Sequence, residues 1–161
     1  MALLRPAGRA DRAALERFTC WRGGEPSFIR DVQSSIRTGG WKATVEQRAL
    51  VVEHGGAIIA SARHRHESVD GRGVRWIEWV AICCEWQAQS IDGRRASDAV
   101  SEFVLADART AAGWWGDELI ACRIHVDNVR SQRVSQRNGW VRASPHLSDD
   151  TRTHEAWAIA V

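Results

Sequence analysis

Apolar and polar residues follow one another along the chain in short blocks that predict alternating strands and helices. Leu3 to Arg5 reads as a first strand, and a helix is predicted to begin near Asp11, whose side chain would cap it. A second helix is predicted from 27 to 37, and the glycine pair at 39–40 ends it. The N-terminal part of the chain therefore predicts one strand followed by two helices.

Strand patterns dominate the next part of the chain. Apolar segments at 49–53 and 57–63 face each other across a glycine-containing turn, which indicates an antiparallel pair. A polar stretch at 67–73 separates this pair from a third apolar strand at 74–83, which Glu78 interrupts. Three consecutive strands are therefore expected after the two helices.

The C-terminal half alternates between helices and strands. A long helix is predicted at 94–110, a buried strand at 119–126, a short helix at 129–137, and a final strand pair at 140–143 and 155–161 that a polar loop joins. The predicted order is β-α-α-β-β-β-α-β-α-β-β, with a β-α-β unit in the middle. This order indicates a single mixed α/β domain that spans residues 1–161.

Composition and charge exclude several classes of protein. Hydrophobic residues make up 44% of the chain and charged residues 26%, which is the balance of a folded globular domain. No apolar run is long enough to cross a membrane, and Pro6 interrupts the N-terminus too early for a signal peptide, so we expect a cytoplasmic protein. The net charge of +2 gives no electrostatic case for a nucleic-acid or membrane partner.

Cysteine and histidine spacing gives no metal site. No two of the four cysteines have the spacing of zinc ligands, and adjacent Cys83 and Cys84 would point to opposite faces of a strand. We therefore interpret them as ordinary thiols in a reducing compartment. His64 and His66 could share one face of a strand, but without a third ligand nearby they are expected to be solvated residues at a strand end.

The connection inside the β-α-β unit is the first candidate for chemistry. A strand that leads into a helix aims free backbone N–H groups and the positive end of the helix dipole at one point, which suits phosphate groups. The connection at 85–95 contains one glycine, so this pattern alone predicts a phosphate site only weakly. Its neighbours are more specific. The segment 79–87 resembles the fourth strand and the start of the acetyl-CoA loop of the GNAT acetyltransferases, and 127–140 resembles their last helix and the strand after it.

This resemblance implies a GNAT-like fold, with a mixed, largely antiparallel sheet of about seven strands, about four flanking helices and a central β-α-β unit that binds acyl-CoA. It implies acetyl-CoA as co-substrate and no metal. In the family the fourth strand carries a bulge next to the pantetheine arm, the following loop wraps the pyrophosphate, and the last helix contributes an asparagine. The residues that match these positions are Ala81, Ile82, Cys83, Gln87, Ala88, Gln89, Ser90, Ile91, Asp92, Gly93, Arg94, Asn128 and Ser131.

The loop departs from the family pattern of Gln or Arg, two residues, Gly, one residue, and Gly or Ala. Gln87 fits, but Ser90 replaces the first glycine and Asp92 stands where the second small residue belongs. An aspartate beside a pyrophosphate is repulsive. Either Arg94 and Arg95 offset this charge, or Asp92 caps the following helix and points away.

Glu78 is the candidate general base. It shares strand parity with Trp76 and Val80, and the resemblance implies that a glutamate near this point deprotonates the acceptor amine. A carboxylate in an apolar strand can have this use, because an amine must lose a proton before it attacks a thioester. The alternative is a glutamate paired with a neighbouring arginine such as Arg75 or Arg123.

Ser135 stands where many family members have a tyrosine that protonates the departing thiolate, and this chain contains no tyrosine. A serine hydroxyl is a poorer acid, but a thiolate whose pKa is about 8.5 scarcely needs a proton at neutral pH. Asn128, Ser131 and Val134 also match the branch of the family that acetylates protein N-termini. Ser131 and Ser135 could equally be hydroxyls on a helix surface.

The resulting hypothesis is an N-acetyltransferase that moves an acetyl group from acetyl-CoA to a primary amine, by direct attack in a ternary complex. The amine could belong to a protein N-terminus, a small metabolite or an antibiotic. Most of the nine tryptophans are expected in the core, and a few that line the acceptor site would favour an aromatic, apolar or cationic acceptor. One alternative is a catalytically lapsed binding module. The other is a toxin-type acetyltransferase that acts on aminoacyl-tRNA, because Phe18-Thr19-Cys20 resembles the Phe-x-Cys segment of those enzymes. Each permits a homodimer.

Overall fold

The structure is a computed structural model, and it describes residues 1–143 and 153–161. The polar loop predicted between the last two strands therefore lies largely outside the described residues. The elements are β1 (Ala2–Pro6), a 3₁₀ turn (Arg9–Asp11), α1 (Arg12–Glu16), α2 (Ser27–Gly39), β2 (Gln47–His54), β3 (Ala57–Val69), β4 (Arg72–Ile82), β5 (Ser90–Ile91), β6 (Arg94–Arg95), α3 (Ala96–Trp115), β7 (Leu119–His125), α4 (Val129–Arg137), β8 (Val141–Arg142) and β9 (His154–Ala160).

Seven of the strands form one sheet in the order β1-β2-β3-β4-β7-β9-β8, and β5 and β6 form a separate two-stranded hairpin. Every neighbouring pair in the large sheet is antiparallel except β4 and β7, which α3 connects as a parallel crossover. This arrangement confirms the predicted mixed, largely antiparallel sheet with four α-helices and a central β-α-β unit.

The sequence analysis predicted that the polar stretch at 67–73 separates two strands. In the structure most of this stretch belongs to the strands themselves. β3 runs on to Val69 and turns directly into β4 at Asp70 and Gly71, whose φ angles are 50° and 79°. Two consecutive positive φ angles match the right-handed twist of a hairpin, and an Asp-Gly pair is well suited to them. The polar residues are therefore the exposed end of a long hairpin.

Two helix ends differ from the prediction, namely the start of α1 and the end of α3. Asp11 accepts a hydrogen bond from the Gly8 N–H at 2.9 Å and pairs with Arg5 at 2.8 Å, so it ties the end of β1 instead of capping α1 with its side chain. α3 continues past residue 110 to Trp115 and ends at Gly116, whose φ is 70°. Trp114 therefore lies within the last turn of α3.

Apolar side chains cover both faces of the sheet. On one face, Leu15 of α1 and Ile36 of α2 pack with Val51 in one buried cluster. On the other face, Val100 and Val104 of α3 belong to a larger cluster that reaches from β1 to β9. These five side chains are at most 1% exposed, so the sheet is fixed between α1 and α2 on one side and α3 on the other.

A polar layer lies beneath α3. Asp107 of α3 accepts two hydrogen bonds of 2.8 Å from the Arg48 guanidinium and one of 2.8 Å from His64 Nε2. His64 is fully buried, which contradicts the prediction of a solvated histidine at a strand end. Each carboxylate oxygen has a charged or polar donor, so the buried charge is compensated.

A second buried ion pair lies just beyond the C-terminal end of α3. Arg75 donates from Nε to Asp117 Oδ2 at 2.8 Å, and His66 Nδ1 lies 2.5 Å from Asp117 Oδ1. His66 also stacks on the ring of Trp115, with centroids 4.8 Å apart. The two histidines thus share a face, as predicted, but each has a separate aspartate as its partner. The described residues contain no group of three or more His, Cys, Asp or Glu side chains that could hold a metal ion.

No helix within the described residues is long and apolar enough to cross a membrane.

The Asp107 contacts predict a specific acid sensitivity. Burial raises the pKa of Asp107, but the hydrogen bonds from His64 and Arg48 outweigh burial and lower it to about 2. The pKa of an unfolded aspartate is about 3.9, so this group contributes about 2–3 kcal/mol of stability above pH 5 that is lost as the pH falls toward 2. Asp107→Asn should lower the free energy of unfolding at pH 7 and should reduce its loss between pH 5 and pH 2.

Urea unfolding between pH 2 and pH 7 measures both effects. Asp127→Asn is the matched control, because the Asp127 side chain is 78% exposed. Parallel acid profiles of the wild type and Asp107→Asn would contradict the assignment.

Candidate functional site

β4 and β7 run side by side at one end only. Their parallel pairing ends at Ile77 opposite Cys122. Beyond this point β4 stays paired with β3, whereas β7 stays paired with β9. We call the gap between 78–82 of β4 and 123–125 of β7 the strand split. The edge of β4 that faces this gap has no strand partner within the described part of the chain, so its backbone groups are open to a ligand.

The strand split begins at an extra residue in β4. Arg63 of β3 lies opposite Trp79, and the next residue of β3 lies opposite Ile77, so Glu78 has no counterpart. This arrangement is a β-bulge, which bends the bulged strand. The position predicted for the bulge was Ala81, Ile82 and Cys83. That position is wrong, because 80–82 pair regularly with β3 and the irregularity lies earlier, at Glu78.

The bulge also changes which side chains share a face. Regular alternation predicts Glu78 on the same face as Val80, but the extra residue shifts the alternation by one. Trp79 and Ala81 therefore pack in the cluster beneath α2, while Ile82 packs with the cluster beneath α3. Glu78 itself lies on the α2 face, where its partners are.

Three side chains of β2 and β3 hold the Glu78 carboxylate. Arg65 Nε lies 3.1 Å from Oε1, the Gln47 amide donates to Oε2 at 3.0 Å, and Arg63 Nε lies 3.8 Å from Oε2. A glutamate paired with arginines was the alternative interpretation, although the partners are not the predicted Arg75 and Arg123. All three partners lie on the side of β4 that faces away from the strand split.

Arginines cover the tryptophans next to the strand split. The Arg63 guanidinium lies 4.1 Å from the centre of the Trp79 ring, and that of Arg123 lies 4.5 Å from the Trp76 ring. Each contact is a cation–π interaction within the protein. These tryptophans were expected to favour a cationic acceptor among others, but the chain's own cations already occupy these rings.

The other side of the strand split ends in an aromatic cluster. His125, the last residue of β7, stacks on Phe28 of α2 with ring centroids 4.5 Å apart. The Asp127 N–H donates to His125 Nδ1 at 3.2 Å, so a neutral His125 carries its proton on Nε2. The sequence analysis missed both residues. Their position was recognisable in part, because a polar residue that ends a buried parallel strand often faces a ligand site.

The loop after β4 is held by the side chain of Gln87, the loop residue that matches the GNAT pattern. Gln87 donates to the carbonyl oxygens of Cys20 at 3.0 Å and Ile82 at 3.3 Å, and its own oxygen accepts from Arg130 Nη1 at 3.4 Å. Gln87 therefore connects the end of β4 to α4. Ala88, Gln89 and Ser90 follow as exposed residues.

The resemblance implied a loop that wraps the pyrophosphate. In the structure the last part of this loop is a hairpin. Ser90 pairs with Arg95 and Ile91 with Arg94, and the turn between them has φ angles of 50° at Asp92 and 80° at Gly93. Buried Ile91, which is 1% exposed, anchors the hairpin in the core. Asp92 lies in this turn, so the prediction that it could cap α3 is wrong.

The hairpin leads directly into α3. The Ala96 N–H donates to the Gln89 carbonyl at 2.9 Å, and the residue at the cap position, Arg95, makes no side-chain cap. Asp98 in the first turn pairs with Arg137 at 2.8 Å. Arg94, expected to offset the charge of Asp92, forms an ion pair with Glu102 of α3. The positive end of α3 therefore meets a region rich in arginine.

The predicted residues of α4 lie at its N-terminus and along its middle. Asn128 is the cap residue, and its side chain accepts from the Ser131 N–H at 3.1 Å. Ser131 and Ser135 are half-buried, and no residue of α4 is buried. The asparagine thus has a structural use in the helix beside any use toward a ligand.

The cysteines near the strand split are neutral thiols. Burial raises the pKa of Cys20 and of Cys122 to about 12, and burial also raises the pKa of Cys83. Cys83 and Cys84 follow the end of β4, so they do not alternate across a strand as predicted. Because the thiolate is the nucleophile, these three cysteines are poor candidates for carrying an acyl group.

Sequence comparison alone finds no match, either to a protein-family model or to a curated protein. Comparison of the structure does find relatives. The PaiA N-acetyltransferase from Thermoplasma acidophilum, solved with coenzyme A, is 11% identical with a TM-score of 0.70, over 100% of this chain and 99% of that one. The GNAT domain of PAT from S. lividans is 15% identical with a TM-score of 0.65, over 99% and 90% of the two chains.

A third structure is RimJ from Mycobacterium smegmatis in complex with CoA-disulfide. It is 18% identical with a TM-score of 0.62, over 99% of this chain and 81% of that one. At these identities the likeness concerns the fold. The chain therefore has the fold of the GNAT acetyltransferases over almost its whole length.

Proposed function

We propose that the chain is an acyl-CoA-dependent N-acetyltransferase that moves an acetyl group from acetyl-CoA to a primary amine. The observation that carries this proposal is the strand split, where β4 leaves β7 at Ile77 and keeps an open backbone edge. An extended amide-containing ligand can pair with such an edge as a strand would. The pantetheine arm of CoA has two amides and fits this description.

The described residues fit acetyl-CoA at both ends of its arm. Backbone groups of 78–82 would hold the arm, and the exposed backbone of 88–90 together with the N-terminal end of α3 would face the diphosphate. Arg95, at the cap position of α3, is exposed and supplies positive charge there. When bound, acetyl-CoA supplies an acetyl group that is already activated as a thioester.

The chemistry we propose is direct attack. The amine nitrogen forms a bond to the carbonyl carbon, the bond from that carbon to sulfur breaks, and its electron pair stays on sulfur. Glu78 takes the proton that the amine loses, directly or through water. The neutral thiols of Cys20, Cys83 and Cys122 favour this route over an acyl-cysteine.

Ser135 is the candidate donor toward the departing sulfur. It lies in the middle of α4, half-buried, four residues after Ser131 and on the same side of the helix. A hydroxyl can donate a hydrogen bond to a thiolate without transferring its proton. We propose this role, with Asn128 and Ser131 ordering the start of the helix.

A binding module without catalysis is the second candidate, and one observation favours it. The β5–β6 hairpin stands where the family has a glycine-containing loop, so fewer free amides face the diphosphate. A toxin-type acceptor has no comparable support, because Phe18 and Cys20 belong to the buried cluster beneath α2. The cytoplasmic location and the homodimer remain predictions from the sequence.

Calorimetric titration of acetyl-CoA and of free CoA distinguishes the two candidates. We expect saturable binding in the micromolar range, which corresponds to about 8 kcal/mol. Asp92→Asn should tighten it, because the change removes a negative charge and Asn-Gly keeps the hairpin turn. No binding at millimolar ligand would favour the module.

Glu78→Gln tests the proposed base. The amide keeps the size of the side chain but cannot accept the proton, so turnover should fall by about 10²–10⁴-fold, most clearly below the pKa of the amine. Release of the CoA thiol measures turnover. Glu118→Gln is the control, since its side chain is 62% exposed and lies at the far end of β7. Unchanged turnover in Glu78→Gln would remove the assignment.

A further inference from the structure

α4 carries three arginines and no carboxylate. They are Arg130, Arg133 and Arg137, so the side chains of the helix have a formal charge of +3, one for each arginine. At about 100° per residue these positions lie within about 60° of arc on one side of the helix. We call them the arginine stripe. It extends about 10 Å along the helix axis, seven residues at about 1.5 Å each.

Both ends of the arginine stripe contact elements that face the proposed diphosphate site. At one end, Arg130 Nη1 donates to Gln87 Oε1 in the loop after β4, at 3.4 Å. At the other end, Arg137 Nη2 donates to Asp98 Oδ1 in the first turn of α3, at 2.8 Å. Arg133 shares this side of α4, is exposed, and pairs with none of the described residues. The arginine stripe therefore lies across from the loop and the N-terminus of α3.

Gln87 orients Arg130 toward this loop. The Gln87 amide nitrogen donates to the carbonyl oxygens of Cys20 and Ile82, so its oxygen is turned to α4. The distance of 3.4 Å to this neutral oxygen is long for a guanidinium, which binds an oxyanion at about 2.7–2.9 Å. Arg130 is thus held beside the loop by a weak contact, and an anion can replace or add to that contact.

The loop itself does not balance the charge of the CoA phosphates. Within 85–95 the charges of Glu85 and Asp92 offset those of Arg94 and Arg95, and Arg94 also pairs with Glu102 of α3. The ribose phosphate of CoA alone brings a charge of about −1.5 to −2 at pH 7, and the diphosphate adds to it. Cations from another element are therefore needed.

α4 can supply these cations. Among the described carboxylates, only Asp98 pairs with the arginine stripe, through Arg137. Arg130 and Arg133 have no carboxylate partner in the described part of the chain, and both are exposed. These two guanidinium groups are therefore available to an anionic ligand.

On the basis of the proposed function, we propose that the arginine stripe is a phosphate-binding site for CoA, with Arg130 and Arg133 as the contacts. Their guanidinium groups bind phosphate oxygens from the side opposite the N-terminus of α3. The β5–β6 hairpin leaves fewer backbone amides for this purpose, and the side chains of α4 take their place. Because side-chain charges are screened by salt, cofactor binding depends on ionic strength.

Calorimetric titration of CoA at about 50 mM and about 300 mM NaCl tests the proposal. Arg130→Gln should raise the Kd about tenfold at low salt, and Arg133→Gln about 3- to 10-fold, the effect of one charged contact. The double variant should also show a weaker salt dependence, because fewer charged contacts remain to be screened. Arg130→Lys keeps the charge and should restore most of the affinity. Arg137 is left unchanged, because its loss would also break the ion pair with Asp98.

The same titrations with 3′-dephospho-CoA identify the phosphate. A smaller effect of the variants on this ligand assigns the arginine stripe to the ribose phosphate, whereas an equal effect assigns it to the diphosphate. Arg72→Gln is the matched control, since it removes the same charge from a side chain that is 76% exposed and pairs with Glu118 at the far end of β4. Its Kd should stay within about twofold of the wild type. Thermal unfolding checks the fold of each variant.

Three results would overturn the inference. An unchanged Kd and salt dependence in the double variant contradicts it and leaves the proposed acetyl transfer standing. An equal rise of the Kd in Arg72→Gln means that only the net charge matters, so there is no site on α4. No binding of CoA or acetyl-CoA to the wild type contradicts the proposed function and the inference together.

Discussion

One inserted residue determines the geometry of the candidate site. Without Glu78, β4 would continue in register between β3 and β7, and the parallel pair would have no reason to end at Ile77. The bulge bends β4 away from β7 and leaves an open backbone edge on the side of the gap. It also brings Glu78 and Trp79 to the same face. The open edge of β4 and the positions of the Glu78 and Trp79 side chains thus have a common origin in the backbone.

The gap stays open because the elements on both sides are fixed independently. β7 is held by β9 along its whole length, and β4 by β3. Beneath the sheet, Asp107 anchors α3 to Arg48 of β2 and His64 of β3. Asp117, which follows the end of α3, accepts a hydrogen bond from Arg75 of β4. Because both partners of such pairs must stay buried together, α3 cannot shift along the sheet without a large cost. Its N-terminus is therefore fixed beside the loop that follows β4.

The sequence predicted the architecture well, since apolar periodicity decides which segments are strands and helices. It could not locate the bulge, because residues 79–82 are all apolar. Their pattern therefore does not show which of them face which side of the sheet. It also missed the partners of Glu78, which are 13, 15 and 31 residues away along the chain. A clue for Asp107 existed: it stands three residues after Val104, on the apolar side of a helix, where an aspartate needs a buried cation.

The hairpin at Asp92 and the contacts of Glu78 concern different parts of the proposed reaction. Replacing glycines by a hairpin removes backbone donors from the diphosphate region, and exposed arginines can supply charge there, although less rigidly. Around Glu78, side chains of β2 and β3 hold the carboxylate on the side of β4 that faces away from the strand split. In the proposed reaction, the side chain that takes the proton of the amine therefore starts from contacts with β2 and β3 and not from the strand split.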